Sequence, residues 1–98
     1  MITVWIKRGA IGDLQIPMQK ALGQIIELYK NLGNSDFYIT SIREGNHGAR
    51  SLHYIGLAVD FRKLNLTKDK LRSVLSLDYD IIEYDAFFHV EYDPKGNK

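Results

Sequence analysis

The run Leu57-Ala58-Val59-Asp60-Phe61 constrains the fold more than any other stretch, because it sets an acid where a strand normally buries an apolar side chain. An ionised carboxylate taken out of water needs a partner, so Asp60 calls for a cation or a bound metal. Period two places Leu57, Val59 and Phe61 on one face of the strand, with Ala58 and Asp60 on the other. The run Phe87 to Tyr92 repeats the pattern, with Phe88, Val90 and Tyr92 on one face and His89 and Glu91 opposite. Each strand therefore has an apolar face suited to covering helices and a second face that carries ionisable groups. Placed in one sheet, Asp60 and His89 point into a common cleft, which the small Ala58 leaves open.

The remaining segments supply the cover. Ile2 to Lys7 alternates like a short strand. Pro17 to Leu32 reads as an amphipathic helix with Ala21, Leu22, Ile25, Ile26, Leu28, Tyr29 and Leu32 on its apolar face, Pro17 in its first turn and Gly33 as its stop. Phe37 to Ile42 is β-branched and aromatic and reads as a strand, followed by a loop over residues 44–52. Thr67 is a cap for a short helix reaching about Leu75, and "YDIIEY" and "FFHVEY" form a hairpin around Asp85-Ala86. The expectation is an α+β fold: a single small domain over residues 1–98, with a mainly antiparallel sheet, two helices packed on one face and a cleft on the other.

Composition narrows the function. A hydrophobic share of 45% argues against disorder, and a formal net charge of +1 without a block of like charge does not indicate a nucleic-acid or anionic-membrane surface. The absence of cysteine removes disulfides, thiolate nucleophiles, zinc fingers and iron–sulfur sites together, which favours a cytosolic origin or a reducing folding compartment. No run approaches the roughly 20 apolar residues of a membrane span, and the start lacks the apolar segment of a signal peptide. Synthesis in the cytoplasm, no membrane insertion and a monomeric state are expected.

Two histidines and one carboxylate suffice for a catalytic zinc, and His53, Asp60 and His89 make up that set. Gly56 allows the tight turn that could bring His53 and Asp60 to one ion, with His89 arriving from a neighbouring strand. Spacing leaves open the alternative that Asp60 pairs with Arg43 or Arg62.

The stretch Ser51 to Asp60 has the form S-x-H-x-x-G-x-A-x-D, and "HVEYD" follows near the end of the chain. These motifs resemble peptidase family M15, the zinc D-alanyl-D-alanine carboxypeptidases and murein endopeptidases, and the related signalling domain of hedgehog proteins. The resemblance implies zinc held by His53, Asp60 and His89. It also takes in "TSIR", which matches Arg43 to the family's substrate-side arginine, and it covers residues from about Thr40 to Asp93.

A zinc hydrolase needs a carboxylate to take a proton from the attacking water and pass it to the leaving amine. Asp80, Glu83, Asp85 and Glu91 are the acids near His89. A hairpin loop centred on Ala86 sets Glu83 across from His89, whereas a two-residue turn at Asp85-Ala86 puts Ile82 there and turns Glu83 away. The hedgehog-like pattern, with its glutamate six residues before the last ligand, matches "EYDAFFH" and implies Glu83 as the base. Phe87 stands where many relatives carry a second histidine; if that histidine stabilises the transition state, this chain does without it or recruits another donor, for which Arg43 is the candidate, with His47 either a further contact or a surface residue. Ser51 is placed to hydrogen-bond a ligand or to start the turn.

The resemblance thus implies a zinc metallopeptidase, a hydrolase cutting peptidoglycan stem or cross-bridge peptides in the manner of a phage endolysin or bacterial lytic enzyme. It would act at the cell wall after release. The rival from another class is a non-catalytic, zinc-stabilised binding module with a degenerate hedgehog-like site.

Overall fold

Asp60 does lie on a strand with one covered face. In the computed structural model, which describes residues 1–7, 14–42 and 56–94, the elements follow as β1 (Thr3–Ile6), α1 (Ile16–Asn31), β2 (Asp36–Ser41), β3 (Ala58–Arg62), α2 (Lys68–Val74), β4 (Tyr79–Glu83) and β5 (Phe87–Tyr92). The strands form one five-stranded sheet in the order β1-β2-β3-β5-β4. Only β1 and β2 run parallel, since α1 carries the chain back between them; the other neighbours are antiparallel. This is the α+β architecture expected, with two helices and a mostly antiparallel sheet.

Both helices feed one core. Met18, Ala21, Ile25 and Tyr29 of α1 and Leu71 of α2 pack with Phe37 and Ile39 of β2, Val59 and Phe61 of β3, Ile81 of β4, and Phe88 and Val90 of β5. The period-two alternation read from the sequence for β3 and β5 is thus the alternation of this sheet. Its helix-facing side is close-packed, with aromatic rings of Tyr29, Phe37, Phe61 and Phe88 in a chain of contacts between 5.1 and 6.0 Å.

Local chemistry fixes the ends of the helices. Gly33 adopts a φ of 88°, the left-handed conformation that ends α1 without a Cβ clash. Thr67 caps α2, its side-chain oxygen accepting from the Lys70 N–H at 3.3 Å. The Arg72 guanidinium then donates to the carbonyls of Tyr79 (2.8 Å), Leu75 (3.1 Å) and Ser76, tying the end of α2 to the start of β4. Tyr29, fully buried, donates its hydroxyl to the carbonyls of Arg62 (2.6 Å) and Lys63 (3.0 Å) and so anchors α1 to the end of β3.

One irregularity shapes the other face. Ile39 pairs with Phe61 but Ser41 pairs with Asp60, so Thr40 is an extra residue in β2. This bulge swings Ser41 onto the face of Asp60 rather than the core.

Candidate functional site

The sheet face opposite the helices carries Asp60 and Arg62 from β3, His89 and Glu91 from β5, and Asp80 and Ile82 from β4. Ala58, on the same face, is fully buried rather than beside open space. Asp60 and His89 are direct cross-strand partners. Their side chains meet, His89 Nδ1 standing 2.8 Å from Asp60 Oδ1, with each side chain only 15% exposed. The other ring nitrogen, Nε2, lies 2.7 Å from Glu91 Oε1. Residues two apart on a strand share a face, which is how His89 and Glu91 come together. The described residues therefore give Asp60 an imidazole as partner, and Arg62 instead lays its guanidinium over the Tyr38 ring at 4.9 Å.

Ionised carboxylates only accept hydrogen bonds, so the two contacts favour the imidazole with a proton on each nitrogen. Burial works to lower the pKa of His89, but the hydrogen bonds to Asp60 and Glu91 outweigh it and the net shift is upward. The Asp60–His89 contact is thus a hydrogen bond that the protonated imidazole strengthens. Two donors bound to one zinc at about 2.0–2.1 Å in tetrahedral geometry stand about 3.3 Å apart, half an ångström wider than this contact. One oxygen with one imidazole nitrogen is a donor set that suits zinc. The two residues fit such an ion. Glu91 on the far nitrogen matches the carboxylate that commonly orients a ligating histidine.

The third expected ligand, His53, lies outside the described residues, as do Arg43, His47 and Ser51. Gly56, where the description resumes, has a φ of 79°, in keeping with the turn expected there.

Glu83 requires a correction. The hairpin closes with the Tyr84 N–H donating to the Phe87 carbonyl at 2.9 Å, leaving Asp85-Ala86 as a two-residue turn. Ile82 consequently faces His89, and Glu83 faces Phe88 on the helix side of the sheet. Its carboxylate pairs with Lys63 Nζ at 2.9 Å. The register that would have set Glu83 opposite His89 is not the one formed, and the acid beside the imidazole is Glu91.

Sequence reasoning did not single out a further group of carboxylates. Single oxygens of Asp80, Glu91 and Asp93 lie within 4.8 Å of one another, because Asp80 pairs with Glu91 across β4 and β5. Aspartate at the start of one strand and "EYD" at the end of its partner were the available signal. Beside Asp60 opens a pocket of about 370 Å³ lined by Lys7, Thr40, Ser41, Asp60, Arg62, Ala86 and Phe87. Phe87, the residue in place of a second histidine, is part of that wall.

Fold and site together define an α+β domain with a histidine–carboxylate centre on the sheet face opposite its helices. No family model matches the chain, and no match was found among curated proteins or among solved structures. Among the described residues, no helix is long and apolar enough to cross a membrane.

Proposed function

We propose that this chain is a zinc-dependent peptidase acting on murein stem or cross-bridge peptides. The observation that carries the reading is the Asp60–His89 pair, two expected ligands from separate strands held in contact, with Asp60 lining a pocket. Zinc, when bound, supplies Lewis acidity towards the scissile carbonyl and its attacking water. Asp60 and His89 would hold it together with His53. Glu91 keeps the Nε2 proton on His89 and so presents Nδ1 to the ion. Glu91, on the far side of the ring from Nδ1, is thereby an orienting group and is not placed to take the proton of the attacking water. Arg43, at the end of the "TSIR" segment, would orient the substrate or bind the oxyanion.

Digestion of purified murein, with mass analysis of the fragments in the presence and absence of a chelator, tests this directly. Release of amino acids or shortened stem peptides that stops with the chelator is expected. Intact murein after prolonged incubation with zinc-loaded protein would sink the reading.

The position of Glu83 favours a second reading, a non-catalytic zinc-stabilised binding module. That protein would hold one equivalent of zinc and retain murein without turnover.

A further inference from the structure

The pocket beside Asp60 does not end there. A second pocket, of about 290 Å³, is lined by Trp5, Ile6, Lys7, Tyr38, Ile39, Thr40 and Arg62. The two share Lys7, Thr40 and Arg62, so a single groove runs from the histidine–carboxylate centre across β2 to the outer strand β1. At their junction stand two cations. Neither Lys7 nor Arg62 forms an ion pair with a carboxylate among the described residues. Arg62 is held over the Tyr38 ring at 4.9 Å. Stacking of this kind uses the face of the guanidinium and leaves its edge donors available for a planar anion. Among the described residues that line the two pockets the only carboxylate is Asp60, and His89 Nδ1 already meets it at 2.8 Å. The groove therefore has a positive segment adjoining the proposed centre.

We infer that Lys7 and Arg62 form a subsite for a substrate carboxylate, so that the peptide taken by this cleft is an acidic one. Asp60 and Arg62 lie two residues apart on one face of β3, a separation of about 7 Å. An extended peptide advances about 3.4 Å per residue, which sets the recognised carboxylate about two residues from the bond that is cut. Charge and planarity divide between the two side chains: Arg62 offers a fork for paired hydrogen bonds, and Lys7 a point charge from the end of β1, one strand beyond β2. Thr40, pushed out by the bulge, lines both halves of the groove between them.

The inference rests on the peptidase reading for the position of the bond, but its test is a binding measurement that needs no turnover. The probe is a synthetic murein stem pentapeptide, used with its carboxylates free and with all of them converted to amides. Each form is titrated into the zinc-loaded full chain while amide and indole resonances are followed. The free acid should bind about tenfold more tightly than the amide, the usual worth of a charge-assisted contact, and should shift the Trp5 indole and Arg62 amide signals. Lys7→Gln and Arg62→Gln should each remove most of that preference while leaving the affinity for the amide unchanged. Arg62→Lys, which keeps charge without the fork, should restore only part of it. Equal affinity for the two peptides, binding of neither, or a preference untouched by both substitutions would overturn the subsite. A carboxylate preference lost in the variants, found in a protein that never cleaves murein, would leave the subsite standing and remove the peptidase instead.

Discussion

Asp60 Oδ1 and His89 Nδ1 stand 2.8 Å apart across the β3–β5 ladder, in direct hydrogen-bonding contact. If they are ligands, removing either must cost more than losing an orienting group, which lowers metal affinity about 10–100-fold. Asp60→Ala and His89→Ala should therefore each weaken zinc binding by more than about a hundredfold in competition with a chromophoric chelator. Arg62→Gln, on the same strand face, should not. Equal zinc affinity in all three variants would show that the pair is structural.

Glu91 and Glu83 can be separated by one comparison. A glutamine at position 91 keeps a carbonyl to accept the His89 Nε2 proton but has no basicity. As an orienting group, Glu91 acts through His89, so Glu91→Gln should cost at most about 10–100-fold in zinc affinity and should retain turnover once zinc is saturating. Glu83→Gln should retain turnover and lose at most about 1 kcal/mol of stability, because its pair with Lys63 is partly exposed. Loss of turnover in Glu83→Gln would return the base to Glu83 and require the hairpin to shift register in solution.

His89 gives the pH dependence opposite signs with and without metal. Its pKa is raised in the folded chain, first against the lowering effect of burial, by the hydrogen bonds to Asp60 and Glu91. In the metal-free protein this stabilisation is complete below the unfolded value of about 6.5 and is lost as pH rises through the folded value. Zinc binding requires the Nδ1 proton to leave, so the stabilisation by zinc should grow over the same interval. Urea unfolding at about pH 6 and about pH 9, with zinc and with chelator, should show the two slopes, and His89→Gln should flatten the metal-free one. Parallel slopes in both conditions would exclude an ion at His89.

What the sequence disclosed here follows from local periodicity. The faces of β3 and β5 were readable because alternation is set by the backbone pleat, so Asp60 and His89 could be placed together before any partner strand was known. The register of the β4–β5 hairpin was not, because it depends on how Asp85-Ala86 turns, and that pair lacks the Asn-Gly or Gly signature that fixes a two-residue turn. One residue of register moved Glu83 to the other face. The bulge at Thr40 and the parallel pairing of β1 with β2 were equally hidden, since both depend on strands distant in sequence. The groove beyond Asp60 was lost with them. Lys7 meets Arg62 there only because β1 lies outside β2.

Tyr29 offers a test of the scaffold that involves no metal. Its buried hydroxyl donates to the Arg62 and Lys63 carbonyls, and burial pushes its pKa well above the usual phenol value. Tyr29→Phe leaves those carbonyls without this donor, at a cost of about 1–2 kcal/mol in urea unfolding. A raised acid pKa stabilises fully below the unfolded value of about 10 and is lost as pH rises above it, since the unfolded phenol ionises first. The unsubstituted chain should therefore lose stability from about pH 10 upward, and Tyr29→Phe should lose less over that range. Because the same hydroxyl anchors the end of β3, Tyr29→Phe should also loosen Arg62, seen as faster amide exchange at Arg62 and Lys63 than at Val59. Unchanged exchange at those two amides would show that β3 is held by its strand neighbours alone.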